Sequence, residues 1–286
     1  CHYGKTLAHV EDHSDQVAAY MGALQKEIAL RKSELGSPEI ESIYVGGGTP
    51  TSLSTKLLEQ LLRGISDFGS SRVKQFCVET SPITAASSKG REKLQMLREG
   101  GVNRFSIGIQ TFDDAILRAT RGHDQLTALR AVGHLLETGA EVNIDLIQDL
   151  PHQTWDSIEQ DLAKVATFRP QQITWYLLRF HDEASWHKAF RNQRLDGLPD
   201  DTESALRRIR IVRRMQDLGY ERRPGGRFLL STETRDHYKE VRGGTEKPLL
   251  GFGVSAYSHG WGWFFRNLTA KSTKVAVANY VERMRK

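Results

Sequence analysis

Only two of the 286 residues are cysteine, Cys1 and Cys77. That number excludes a disulfide framework and any all-cysteine metal site built within the chain. It points to a reducing compartment, and a cytoplasmic location is expected. No apolar run approaches the roughly 18 residues of a membrane span, and no secretory signal pattern is visible. Membrane association is therefore not expected. The sequence also lacks zinc-finger and RNA-binding signatures, so nucleic acid is disfavoured as a partner. No long low-complexity linker interrupts the chain.

The apolar fraction is 38% and the charged fraction 26%, with a net charge of +5. The length suffices for one large α/β barrel or two ordinary domains. Positive charge gathers late, in Arg191, Arg194, Arg207, Arg208, Arg210, Arg213, Arg214, Arg222, Arg223, Arg227, Arg235 and Arg242. Such a block attracts phosphates or carboxylates, and an acidic small-molecule substrate fits it. In "ALRRIRIVRRMQDLGY", Leu206, Ile209, Val212 and Leu218 fall near helical spacing. The arginines there also read as the solvated face of an amphipathic helix.

Hydrophobic periodicity alternates along the first two thirds. It predicts helices over 17–35, 54–67, 89–100, 113–120, 125–138 and 154–167. Between them it predicts strands over 40–48, 73–80, 102–110, 140–151 and 171–180. Short apolar strands alternating with helices imply repeated βαβ units around a parallel sheet. The expected fold is α/β, a partial barrel of parallel strands with a smaller C-terminal α+β extension. The core is expected over residues 1–182, and residues 183–286 are expected to complete the barrel and substrate pocket. A soft boundary falls near 182–200, where Asp200 or Asp201 is placed to cap the next helix. A closing helix is expected near 274–285.

In parallel α/β folds, ligands collect at the C-terminal ends of strands. Polar or side-chain-free residues stand at four successive ends: Gly46, Gly47, Gly48 and Thr49, then Glu79, Gln110 and Asp145. Three consecutive glycines imply unusual dihedrals or a close approach to the backbone. Late in the chain, "FGVSAYSHGWGWFFRN" is rich in aromatics suited to stacking on a flat substrate or an adenine; a packed core strand with a turn is the other reading. Tyr257 and His259 are candidate pocket contacts there, and His259 is placed to move a proton.

Taken in order, "YVGGGTPT", "VETSP", "NRFSIGIQTFDD", "RGHD" and "VNIDLIQDLPHQT" resemble the radical S-adenosylmethionine enzymes. The resemblance is to the branch named after oxygen-independent coproporphyrinogen III oxidase, and it covers roughly residues 17–180. It implies a [4Fe–4S] cluster and one or two molecules of S-adenosylmethionine. It also implies a small-molecule substrate and a reducing partner of flavodoxin or ferredoxin type. Gly46, Gly47, Gly48 and Thr49 match the loop that approaches the methionyl end of the cofactor. Glu79 matches the acceptor of its ammonium group, a natural partner for a cation. Gln110 and Asp145 match the positions that hold the ribose hydroxyls. Arg121 resembles the arginine that meets the methionine carboxylate, at a spacing from Gln110 one residue shorter than usual.

The cluster motif of this family is C-x3-C-x2-C, whose three thiolates leave one iron open for the cofactor. "CHYG" resembles its second cysteine with two spacers, and Gly4 stands where the third belongs. Cys1 is thus the one candidate metal ligand. Either residues are missing at and just after the start, or the protein does not bind the cluster as its relatives do. The otherwise intact cofactor motifs favour the first. Cys77 has no cluster role in the family and reads as a small core residue. The late sequence carries no porphyrin-handling pattern. The leading expectation is methyl or methylene transfer to a small aromatic or heteroaromatic metabolite. Porphyrinogen oxidation, anaerobic haem degradation and a haem-binding chaperone are the alternatives.

Overall fold

The computed structural model describes residues 14–36, 38–69, 73–179, 196–230, 234, 236, 247–267, 270 and 273–285. The chain divides into two compact units, one of residues 78–235 and one of residues 3–77 with 236–286. Among the described residues, no helix is long and apolar enough to cross a membrane.

The second unit starts with helix α1, Ser14–Leu35. Its Val17, Met21, Leu24 and Ile28 recur at helical spacing and are buried together with Leu61 and Phe68 of helix α2, Thr55–Phe68. That shared apolar stripe, more than helix propensity, holds two helices of this length in place. Strand β1, Ser42–Val45, precedes the glycine run. The unit closes with a two-stranded antiparallel hairpin, β8 (Tyr257–Gly260) and β9 (Trp263–Arg266), and a terminal helix, Thr273–Arg283.

Buried Glu27 ties this unit together. Its carboxylate accepts the Gly253 N–H at 2.7 Å, the Tyr280 hydroxyl at 2.6 Å and the Asn267 side-chain amide at 2.9 Å. Three donors converge on one carboxylate, as a charge removed from water requires.

Strand β2, Gln75–Thr80, neighbours β1, and its later residues enter the first unit. In that unit the strands run in the order β2, β3 (Arg104–Gln110), β4 (Glu141–Gln148), β5 (Gln172–Leu177), β7 (Arg227–Leu229) and β6 (Glu221–Arg223). The β3–β4 and β4–β5 pairs are parallel, and β7 and β6 add an antiparallel edge. Helices α3 (Pro82–Ala85), α4 (Ser88–Glu99), α5 (Asp114–Arg121), α6 (Gln125–Glu137) and α7 (Trp155–Phe168) supply the connections. Helix α8, Asp201–Asp217, follows β5, and Asp200 caps it by accepting the Glu203 N–H at 2.8 Å.

One face of the parallel strands is apolar and sealed: Phe105, Ile107, Ile109, Val142, Ile144, Leu146, Ile173 and Trp175 have no solvent exposure. Their alternate neighbours Arg104, Ser106, Asn143, Gln172 and Thr174 form a polar opposite face, the period-2 consequence of strand geometry. A partial α/β barrel with a polar interior results.

Helix α8 departs from the expected pattern. Leu206 and Ile209 are 49% and 50% exposed, whereas Arg207, Ile211 and Met215 face inward. The reason is electrostatic. Arg207 lies 3.6 Å from the buried Asp149 carboxylate and also pairs with Glu203, which makes a buried arginine tolerable. Several other arginines of the basic block are also committed internally. Arg208 donates to the Trp175 carbonyl at 3.0 Å and lies over the Phe228 ring, while Arg214 and Arg223 pair with Glu159 and Glu221. Arg191, Arg194, Arg235 and Arg242 lie outside the described residues.

Candidate cofactor site

Glu79 lies half-buried in β2, two residues beyond Cys77, a buried cysteine in no disulfide. Gln110 ends β3 with φ +76°, and the register against β4 shifts between Gly108 and Gln110. A positive φ at a residue with a Cβ is costly and is held only where its surroundings impose it. Two contacts impose it here. The next residue, Thr111, donates its hydroxyl to the buried Asp161 carboxylate at 3.1 Å, and the Phe112 N–H reaches Asp161 at 2.5 Å. Gly108 supplies the other: a Cβ there would lie 2.6 Å from the Gln110 side-chain nitrogen, so the amide folds back over that glycine. Gly108 is also the register partner of Asp145, which brings Gln110 and Asp145 together on the polar face.

Asp145 is half-buried in β4 and accepts the Asn143 side-chain amide at 2.8 Å. Arg121 closes α5, just before the left-handed cap Gly122. Burial pushes its guanidinium pKa down, and no charged partner among the described residues offsets this. His123 follows; its Nδ1 meets the Asp124 carbonyl at 3.2 Å, and its Nε2 is buried without a hydrogen-bond partner among the described residues. Burial, then the positive charge of Arg121, push the imidazole pKa down. A lone histidine in the sequence carries no such signal; the unpartnered nitrogen emerges only in three dimensions.

In the other unit, Gly46 and Gly47 are exposed, and Gly47 and Gly48 have φ +90° and +149°. Among the described residues, chain neighbours aside, nothing lies within 4 Å of a Cβ placed on Gly47 or Gly48. Thr49 then accepts the Ser52 N–H at 2.9 Å as the Pro50–Ser52 turn closes the loop. On the hairpin, Tyr257 stacks on His259 and Phe264 with ring centroids 6.3 Å and 6.0 Å apart. His259 Nε2 is buried without a partner among the described residues. Trp261, Trp263 and Phe264 are exposed by 79%, 45% and 68%. The aromatic run is thus an open hairpin and not a packed core strand.

In the first unit, the carboxylates of Glu79 and Asp145, the Gln110 amide and the desolvated Arg121 guanidinium are the group types that a zwitterionic nucleoside needs. These residues fit S-adenosylmethionine. They do not fit an iron–sulfur cluster: among the described residues the only thiol is buried Cys77, and no group of His, Cys, Asp or Glu is arranged to hold a metal ion. Cys1 and Gly4 lie outside the described residues.

The chain belongs to the Radical SAM superfamily, which it matches over residues 11–165, more than half its length. Within that superfamily its similarity is to proteins of the oxygen-independent coproporphyrinogen oxidase-like branch. It is 28% identical to the haem chaperone HemW of Bacillus subtilis, over 86% of this chain and 64% of that protein. It is also 28% identical to the oxygen-independent coproporphyrinogen III oxidase of Bradyrhizobium diazoefficiens, over 91% of this chain and 59% of that one. The fold matches that of coproporphyrinogen III oxidase HemN from Escherichia coli, with a TM-score of 0.77, at 23% identity over 94% of this chain and 64% of that one. The chain therefore spans about three fifths of the length of these relatives. The superfamily's cofactors are a [4Fe–4S] cluster and S-adenosylmethionine.

Proposed function

We infer that the protein is a radical S-adenosylmethionine enzyme acting on a tetrapyrrole, by porphyrinogen oxidation or anaerobic haem degradation. Glu79 accepts the methionyl ammonium, Arg121 meets the carboxylate, and Gln110 with Asp145 holds the ribose. In the other unit, Gly46, Gly47, Gly48 and Thr49 match in sequence the family's glycine loop. Bound there, S-adenosylmethionine would supply one-electron chemistry ending in hydrogen-atom abstraction. The protein's own share is to orient that cofactor and exclude water.

The observation that carries the substrate class is the β8–β9 hairpin. Trp261, Trp263 and Phe264 present aromatic surface beside the Tyr257–His259 stack, a chemistry suited to a large flat ring. The relatives support this reading over methyl or methylene transfer, since those named above are a haem chaperone and coproporphyrinogen oxidases. A haem-binding chaperone of the same branch is the second reading, favoured by the HemW likeness.

Anaerobic titration with haem and with coproporphyrinogen, followed by absorbance, tests the substrate class. Deoxyadenosine is measured after adding S-adenosylmethionine and a reductant. Binding with deoxyadenosine formed in step with an altered tetrapyrrole supports an enzyme. Tight haem binding without turnover supports the chaperone. No spectral change with either ring overturns the tetrapyrrole reading, and an isotopically labelled methyl carbon carried into a product restores methyl transfer.

A further inference from the structure

A chain of side-chain hydrogen bonds crosses the polar face of β3, β4 and β5 and ends at Asp145. Arg104 donates through Nη2 to Gln172 Oε1 at 2.7 Å. Gln172 Nε2 donates to Thr174 Oγ1 at 3.1 Å, and Thr174 donates in turn to Asn143 Oδ1 at 2.9 Å. Asn143 Nδ2 then donates to Ser106 Oγ and to Asp145 Oδ1, each at 2.8 Å. Arg104, Gln172, Thr174, Asn143 and Ser106 are all 7% exposed or less.

The direction of this chain is set at one end. A guanidinium only donates, so the Gln172 atom facing it must be the carbonyl oxygen. The Gln172 amide nitrogen is then turned on Thr174, whose oxygen accepts and whose proton is left for Asn143. Asn143 must present oxygen to Thr174 and nitrogen to Asp145. Reversing any amide would set donor against donor or oxygen against carboxylate in a buried site, where an unmade hydrogen bond is costly.

We propose that Arg104, Gln172, Thr174 and Asn143 are positioning residues that fix the orientation of the Asp145 carboxylate for the cofactor's ribose. The inference rests on the reading of Asp145 as a ribose partner. Asn143 holds Oδ1, which restrains the rotation of the carboxylate. Such preorganisation is what a supporting shell contributes to a binding group.

The test is equilibrium binding of S-adenosylmethionine to the full chain under anaerobic conditions. Thr174→Val removes the hydroxyl and keeps the shape; Thr174→Ser keeps the hydroxyl. Thr174→Val should weaken binding about five- to tenfold, the effect of one lost hydrogen bond, while Thr174→Ser stays within about twofold of the unaltered protein. In an Asp145→Ala background Thr174→Val should add nothing, because its effect passes through Asp145. Thermal melting checks the fold, and Thr174→Ala, which removes the same hydroxyl, is read in the same way should Thr174→Val fail to fold. Equal loss from Thr174→Val with and without Asp145, or unchanged binding where Asp145→Ala weakens it, overturns the positioning role alone. Binding that is absent in the unaltered protein or indifferent to Asp145→Ala overturns the ribose reading, and the positioning role with it.

Discussion

Asp161, midway along α7, accepts the Phe112 N–H at 2.5 Å and so anchors the backbone two residues beyond Gln110. The same carboxylate takes the Thr111 hydroxyl, while Ser157, one turn earlier, donates to Asp113 at 2.6 Å. One face of α7 thus holds the whole turn from β3 into α5, and with it the unusual backbone of Gln110.

That anchor carries a pH signature. Full burial pushes the Asp161 carboxyl up to about 8, against the opposing effect of its bonds from Phe112 and Thr111. With the folded value raised above the unfolded one, its stabilising contribution is complete below the unfolded pKa. It is lost as pH rises toward 8 and is constant above. Asp161→Asn retains an oxygen for Phe112 and cannot titrate. Denaturant unfolding at pH 5 and at pH 8.5 should show a steeper fall for the unaltered protein, by up to about 1.4 kcal/mol per pH unit. Parallel falls in the two proteins would remove Asp161 from the pH dependence.

Gly108→Ala tests the fold-back of Gln110. The added Cβ would lie 2.6 Å from the Gln110 side-chain nitrogen, the far end of a flexible side chain. The amide should swing away at a stability cost of about 1 kcal/mol or less. Affinity for S-adenosylmethionine should fall about tenfold, the expected effect of one misplaced polar contact. Unchanged affinity, measured by calorimetry, would separate Gln110 from the ligand.

How far the sequence reaches is clearest along β3 and β4. Alternating Phe105, Ile107 and Ile109 announces a strand with one sealed face, and the intervening polar residues announce the other. Periodicity also places α1, α2 and α4 to α7 to within a few residues, because each buries an apolar stripe. It fails where polar groups take core positions. The spacing of Leu206, Ile209 and Val212 suggests an inward face, yet Arg207 occupies it because Asp149 waits across the gap. Likewise the positive φ at Gln110 and the buried hub at Glu27 come from partners distant in the chain. No local pattern encodes them. For the candidate site, strand-end placement was legible, whereas the bonds that orient Asp145 depend on register between strands.

Gly90 in α4 should resist replacement by alanine although it lies in a helix. Intrinsic propensity favours alanine there by about 1 kcal/mol. A Cβ at that site, however, would sit 1.8 Å from the backbone carbonyl oxygen of Thr84. The oxygen belongs to α3–α4 backbone and has little freedom to retreat. Gly90→Ala is expected to destabilise by about 2–4 kcal/mol, in the range of an overpacked core. A melting temperature equal to or above that of the unaltered protein would contradict this placement of α3 against α4.

The Glu27 hub should show an asymmetry between its partners. Tyr280→Phe deletes one donor from a carboxylate that still receives the Gly253 and Asn267 groups. Its cost should be about 1–2 kcal/mol, that of one hydrogen bond to a charged acceptor. Glu27→Gln keeps the volume but replaces one oxygen with an NH₂ group facing donors only. Whichever way the amide turns, at least one buried donor is left unmet, at a cost of about 2–4 kcal/mol. Urea unfolding of the two single variants and the double variant checks this. In the double variant the Tyr280→Phe cost should shrink, because a neutral amide oxygen accepts more weakly than a carboxylate. Full additivity would mean that Tyr280 acts through packing against Tyr20, whose ring centroid lies 5.5 Å away, and not through Glu27.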